Sequence, residues 1–460
     1  MKRARRLIIV ANRLPVERIR SAGKQRWKTS PGGLVTALEP VLRQRGGAWI
    51  GWSGVAGPAQ RPFVFDGLAM RPVRLSADEL ETYYQGFSNA TLWPLYHDAI
   101  RTPVFDPAWW EPYVRVNQRF AEAAAAAAQP GDTVWVHDYQ LQLVPAMLRK
   151  LKPSLRIGFF LHIPFPPAEL FAWLPWRTQI LEGLLGADVV GFQTPVGAQN
   201  FARLARQFTG ATSEPGGLRF RGRRIVVDDY PISIDTPWFE DASASPKAIR
   251  GASEIRRRIG PARQLILGVD RLDYTKGIDE RLRAYELLLR RKVVSVDKFL
   301  FMQIAVPTRE LVADYSDIRR RTEQRVGQIN GDFSVPGHVA VHFFRRSFSR
   351  DDLVAFYLAA DIMTVTPLRD GMNLVAKEYV ATRTDNTGAL VLSEFAGAAH
   401  ELKRAILVNP RDIEGSAAAL EYAVTMPARE ARARMRALRA VVRRNDVHRW
   451  AQSFLGAMAS

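Results

Sequence analysis

The stretch QLILGVDRLDYTKGIDERLRAYELLLR, Gln264–Arg290, carries the pattern that decides the fold. Its opening, Gln264–Val269, is a short apolar run without alternation, as expected of a parallel strand buried on both faces. Its end, Asp279–Arg290, has apolar residues at helical spacing. The turn between them holds Arg271 and Lys276, five residues apart and just ahead of the helix. One unit of strand, polar turn and helix is the building block of a doubly wound sheet.

The same rhythm recurs outward from this stretch. Candidate strands before it are Leu7–Ala11, Thr133–His137, Ile157–Leu161 and Asp188–Gln193. Those after it are Phe299–Ala305, Val339–Phe344, Met363–Thr366, Ala389–Leu392 and Ile406–Val408. Helical patterns lie among them at Ala198–Phe208, Arg309–Ile329, Asp351–Ala360 and Asn373–Thr382. The Ala run Ala123–Ala128 reads as helix filler, since Ala is the best helix former. A break at Ser233-Ile234-Asp235-Thr236-Pro237 separates two series, so the sequence predicts an α/β chain of two doubly wound domains.

Composition narrows the function classes. Hydrophobic residues make up 47% and charged residues 24% of 460, which is globular and not disordered. With no cysteine, disulfides, thiol catalysis and cysteine-ligated metals are excluded, and a reducing cytoplasm is the expected compartment. The formal net charge of +19 suits nucleic acid, an anionic surface or phosphorylated substrates. The basic residues are spread along the chain rather than gathered in a stripe, which argues against nucleic acid. AREARARMRALRAVVRR, near the C-terminus, reads as a solvated helix face. The apolar run of MKRARRLIIVANR ends too early for a signal peptide, and FFLHIPFPPAELFAWLPW holds too many prolines to span a bilayer as one helix.

Neither HExxH, GxSxG nor a GxxxxGK[ST] loop occurs, which leaves the loops at strand ends, where open α/β sheets place ligands. Arg13 lies just past the first strand, and Gly32-Gly33 precedes a helical pattern, as a turn or as a phosphate loop. Trp52, Tyr84 and Trp93 stand in Gly-, Ser- and Asn-containing loop sequence, suited to stacking on a sugar or to ordinary packing. HDYQL puts Asp138, and FFLHIPFP puts His162, beyond the ends of successive strands. Arg271 as a fork donor and Lys276 as a point charge beside a helix start suit a diphosphate, or else surface salt bridges with Asp270 or Asp273. RDGMNLVAKEYV offers Asp370, backbone donors at Met372, Asn373 and Leu374, and Glu378 for a ribose diol; alone, such a turn is also a plain helix start. PTRE puts Arg309 at another strand end.

Together and in this order, SPGGL, GFSNATLWPLYH, HDYQL, HIPFP, DRLDYTKGI, PTRE and DGMNLVAKEYV resemble the trehalose-6-phosphate synthase family, retaining glycosyltransferases of the glycosyltransferase-B architecture. The resemblance implies two Rossmann-like domains facing a cleft: 1–235 for the acceptor and 236–445 for the nucleotide sugar. It also implies a terminal helix at 446–460 crossing back to the first domain, read from DVHRWAQSFL. It places Arg13, Trp52, Tyr84, Trp93 and Arg309 around glucose 6-phosphate, and Gly33, Asp138, His162 and Asp370 around the donor glucose. Arg271 and Lys276 become the diphosphate clamp, Met372, Asn373 and Leu374 its backbone donors, Glu378 the ribose ligand, and Leu353 a wall of the nucleotide pocket. Two departures from the family pattern are Asp228-Asp229, in the hinge, and Arg411.

The expected reaction moves glucose from a UDP-, GDP- or ADP-linked donor to glucose 6-phosphate with retention, forming α,α-trehalose 6-phosphate. Because Asp138 and Asp370 match sugar-binding positions rather than a nucleophile, front-face attack is expected, with Arg271, Lys276, Asp370, His162 and Asp138 as the catalytic set. No metal, other cofactor, nucleic acid or membrane partner is expected; a homo-oligomer is left open. The alternatives are a sibling transferase using another phosphorylated acceptor, such as glycerol 3-phosphate, and a non-catalytic sensor of sugar phosphates.

Overall fold

The structure is a computed structural model and describes residues 6–21, 24–29, 35, 38–39, 41–43, 46–58, 60–307 and 313–459. By internal contacts the chain divides into two units: Met1–Ile232 with His448–Ser460, and Ser233–Val447. Among the described residues no helix is long and apolar enough to cross a membrane.

The first unit is built on a ten-stranded sheet. Its strands are β1 (Leu7–Arg13), β4 (Gly47–Trp52), β5 (Phe63–Phe65), β6 (Leu68–Val73), β7 (Thr133–His137), β8 (Arg156–Phe160), β9 (Val189–Phe192), β10 (Thr212–Glu214), β11 (Gly217–Phe220) and β12 (Arg223–Asp229). A separate antiparallel hairpin joins β2 (Val16–Ser21) to β3 (Lys24–Thr29). The sheet order is β10-β11-β12-β9-β8-β7-β1-β4-β6-β5. From β6 to β12 the pairing is parallel throughout. The order reverses between β1 and β7, so the crevice for a ligand lies beyond their carboxyl ends.

Helix Val447–Ala459 packs on this sheet. Phe454 stacks on Trp135 with centroids 4.5 Å apart, and Trp450 lies 5.0 Å from the same ring. Gly158 in β8 permits the approach, since a Cβ there would come within 2.6 Å of the Met458 sulfur.

The second unit holds six parallel strands: β13 (Gln264–Arg271), β14 (Phe299–Val306), β15 (Val341–Phe344), β16 (Ile362–Val365), β17 (Ala389–Ser393) and β18 (Ile406–Val408). Their order is β15-β14-β13-β16-β17-β18, the doubly wound arrangement with its switch point between β13 and β16. The buried run Leu265–Asp270 forms its centre.

Three local expectations are corrected. WIGWSG is not loop: Gly47–Trp52 is a buried strand whose Trp49 ring donates to the Arg13 carbonyl at 3.0 Å. Trp52 therefore ends a strand. Nor is GFSNATL loop, because Leu80–Leu92 forms a wide helix with i to i+5 bonding that runs into helix Trp93–Tyr96. Its Asn89 amide donates to the Tyr84 carbonyl at 2.7 Å, so a polar side chain pins the wide turn that low helix propensity would otherwise disfavour. Tyr84 and Trp93 are thus helical. Finally, Asp228 and Asp229 are not hinge residues; they end β12, paired in register with Gly191 and Phe192. The Ser/Thr/Pro cluster that follows is a helix start, where Asp235 caps helix Thr236–Ala244 by accepting from the Trp238 amide at 3.2 Å.

Candidate active site

Each unit gathers polar side chains at the carboxyl edge of its sheet. In the second unit the loop after β13 begins at exposed Arg271. Asp273 holds the loop, accepting from the Thr275 amide at 3.0 Å and hydroxyl at 2.9 Å, and from the Tyr315 hydroxyl at 3.0 Å. At Gly277 the chain takes φ +63°, and a Cβ would lie 2.2 Å from the Thr366 carbonyl oxygen, so only glycine fits.

Under this loop lies fully buried Arg281. It donates to Asp270 at 2.7 Å, Gln303 at 3.1 Å, Thr366 at 2.9 Å and the Lys276 carbonyl at 3.1 Å. The ends of β13 and β16 and the middle of β14 are thereby tied to one guanidinium. Asp270 pairs with buried Arg281, and one oxygen of Asp273 caps the turn.

Lys276 instead reaches across the switch point to Asp370, 2.5 Å away. The same oxygen accepts from the Asn373 amide at 3.1 Å. Asn373 has φ +74°, a conformation rare outside glycine, and its buried Oδ1 has no hydrogen-bond partner among the described residues. Helix Leu374–Thr382 then starts without a side-chain cap or an acidic residue in its first turn. Its leading N–H groups and the positive end of its dipole are left for an anion. Met372 is buried, with its carbonyl fixed by the Ala398 amide at 2.8 Å.

Glu378 sits one turn into that helix and accepts from the Tyr357 hydroxyl at 2.9 Å. Desolvation raises its carboxyl above the ordinary value, opposed by Tyr357 and Arg350. Leu353 lies one turn before Tyr357 on helix Arg350–Ala359.

In the first unit, Arg13 ends β1 with its guanidinium 4.8 Å over the Trp52 ring, which in turn meets Tyr84 at 5.7 Å. Trp93 packs deeper, only 3% exposed, against His97 and Tyr139. Asp138 follows β7 with φ +75° and accepts from the His162 amide at 3.2 Å. His162 Nε2 lies 3.1 Å from His137 Nδ1. Burial pushes the His162 imidazole down to about 3 and His137 well below its usual value, so both rings are neutral at pH 7.

Gly33 and Arg309 lie outside the described residues. The structure thus brings together Arg13, Trp52 and Tyr84, then Asp138 with His162, and in the second unit Lys276, Asp370 and Asn373. Sequence reasoning passed over Arg281, Tyr357, Asn89 and His137. His137 was within the quoted HDYQL, but its place at the end of an apolar strand reads as core. Arg281 was hidden in a helix that also carries the exposed charges Arg283 and Arg290.

Two open sheets with anion-ready loops at their switch points fit many transferases, and the comparison with known proteins decides among them. Residues 5–460 match the family described as Glycosyltransferase family 20. The chain belongs to glycosyltransferase family 20. It is 56% identical over 464 residues to the trehalose-6-phosphate synthase of Mycolicibacterium smegmatis, covering 98% of this chain and 92% of that protein. It is also similar to the solved α,α-trehalose-phosphate synthase (UDP-forming) of Burkholderia xenovorans in complex with glucose-6-phosphate. That match has 36% identity and a TM-score of 0.92, covering 99% of this chain and 100% of the other. A structure from E. coli described as trehalose-6-phosphate bound with UDP-2-fluoro glucose matches at 36% identity and a TM-score of 0.90, over 98% of each chain. This family 20 member is an enzyme with the α/β fold of the glycosyltransferase-B class.

Proposed function

We propose that this family 20 enzyme transfers glucose from UDP-glucose to the anomeric hydroxyl of glucose 6-phosphate with retention, giving α,α-trehalose 6-phosphate. The observation that carries the donor half is the Lys276–Asp370 contact beside the uncapped start of helix Leu374–Thr382. The amides at that start, with Arg271 and Lys276, supply positive potential where the leaving diphosphate gains charge. Glu378, already accepting one hydroxyl from Tyr357, takes the ribose diol, and Leu353 borders the nucleotide. The buried Oδ1 of Asn373 accepts from a donor hydroxyl.

The acceptor belongs to the first unit. Arg13 carries the phosphate, held in aim by Trp52, with Tyr84 and Trp93 flanking the sugar. Gly33 and Arg309 are assigned to donor glucose and acceptor phosphate respectively. Asp138 and His162 contact the donor sugar.

Asp370 makes a poor nucleophile, because the Lys276 ammonium and the Asn373 amide already occupy its Oδ2. Asp138 has one oxygen engaged with the His162 amide. Retention therefore proceeds by front-face attack, with the leaving diphosphate taking the proton of the acceptor hydroxyl. Catalysis rests on positioning and charge stabilisation, and the two cations with the helix amides do for the diphosphate what a metal would. The test is a matrix of UDP-, GDP- and ADP-glucose against glucose 6-phosphate and glycerol 3-phosphate. The proposal expects the UDP-glucose and glucose 6-phosphate pair to dominate; a preference for glycerol 3-phosphate overturns it.

A further inference from the structure

We propose that His137, through its contact with His162, is a positioning residue that fixes which nitrogen of His162 carries the proton. The inference rests on the reading that His162 touches the donor sugar, and it adds a residue and a proton location to that reading.

The geometry allows few arrangements. His137 ends β7 and is fully buried; His162 follows β8, the neighbouring strand. His137 Nδ1 and His162 Nε2 stand 3.1 Å apart, so one must donate and the other accept. Both rings are neutral, which leaves one proton on each. The deciding atom is His137 Nε2, buried and without a hydrogen-bond partner among the described residues. Were the proton there, a buried N–H would be orphaned, the costlier kind of unmet group. With the proton on Nδ1, His137 donates to His162 Nε2, and only a weak acceptor stays unmet.

His162 must then hold its own proton on Nδ1. The ring's remaining nitrogen becomes a donor, suited to a sugar hydroxyl oxygen or a phosphate oxygen. The ring has little freedom to swing away, because Asp138 accepts from the His162 amide and the Phe160 ring lies 4.8 Å off. His137 never needs to reach the sugar to matter. It acts by holding the tautomer and the plane of a neighbour, as the carboxylate partner of a catalytic histidine does elsewhere.

Two measurements test this. The first uses the intact wild-type protein without substrate: long-range proton–nitrogen spectra of ring-labelled histidine, with His162 assigned by its disappearance in His162→Asn. The expected pattern is a protonated Nδ1 and a bare Nε2 at His162. A His162 ring protonated at Nε2 overturns the proposal, whatever the enzyme's activity. The second is kinetic. His137→Asn places an amide N–H where Nδ1–H stood; His137→Phe keeps the ring and removes the donor. We expect His137→Phe to lower kcat/KM for the sugar nucleotide at least about tenfold, the scale of one misplaced hydrogen bond. KM for glucose 6-phosphate should hold, and His137→Asn should recover most of the loss. Equal damage by both variants, or loss spread over both substrates, assigns His137 to packing alone. If His162→Asn leaves the rate untouched, the sugar-contact reading fails, while the spectra still decide the tautomer.

Discussion

The ammonium of Lys276 stands 2.5 Å from Oδ2 of Asp370. These residues are 94 positions apart, yet the turn after β13 and the loop after β16 meet at the switch point of one sheet. The contact fixes both side chains before any substrate arrives and neutralises a carboxylate that could otherwise attack. Lys276→Ala and Asp370→Asn are each expected to lower kcat/KM by at least ~10²-fold, the scale of one lost transition-state contact. Because they act as a pair, the double variant should cost far less than the product of the two. Steady-state kinetics of the four proteins checks this; independent, multiplying losses would separate the two roles.

Arg13 offers the complementary case in the first unit. Its guanidinium is held over Trp52 and beside Gly54, and the residue remains exposed, as the proposed phosphate ligand should be. Arg13→Ala should weaken glucose 6-phosphate by roughly 1.5–3 kcal/mol, the worth of a charge-assisted contact, and leave UDP binding unchanged. Calorimetry with each ligand alone gives the answer, and a comparable loss for UDP would assign Arg13 a structural duty.

The support beneath the second site is testable without any substrate. Arg281 and Asp270 are both 1% exposed at the side chain and lie 2.7 Å apart. Removing one partner leaves an unpaired buried charge. Arg281→Met should therefore destabilise the protein by ~3–5 kcal/mol, while Arg281→Met with Asp270→Leu should recover much of it. Urea unfolding followed by circular dichroism measures both.

Much of the frame was legible because strands buried on both faces write themselves as unbroken apolar runs. Gln264–Val269 and Thr133–His137 are of that kind. The same logic failed at Gly47–Trp52, where glycine and tryptophan look like loop sequence although the strand is central. It failed again at Leu68–Val73, which contains Pro72. The neighbouring β5 covers only Leu68–Met70, so Pro72 faces no partner on that side and costs no ladder bond. At the site, Lys276 and Asp370 could be named from their loops, but not their contact with each other. Long-range pairs such as Arg281 with Gln303 leave no mark in local sequence. The left-handed residues Asp138 and Asn373 are equally silent, being neither glycine nor part of a turn motif.

The two neutral histidines predict the acid limb of stability. His162 falls from the usual 6.5 to about 3 on folding, with burial the cause. Between those values the unfolded chain binds more protons than the folded one, so stability rises with pH. It is complete above about 6.5 and is lost as pH falls toward about 3; His137, also lowered by burial, acts in the same sense. His162→Asn should flatten the dependence of unfolding free energy on pH between 6.5 and 4. An unaltered slope would mean the ring is hydrated in solution.

The most direct measurement of the central claim is the stereochemistry of the product. Purified protein is mixed with UDP-[¹³C]glucose and glucose 6-phosphate and followed by proton NMR. The account predicts a non-reducing disaccharide phosphate in which both anomeric protons show the small coupling of α linkages, formed in step with UDP. A product with a large anomeric coupling on the labelled ring would contradict front-face retention, and release of free labelled glucose without any disaccharide would contradict the transferase itself.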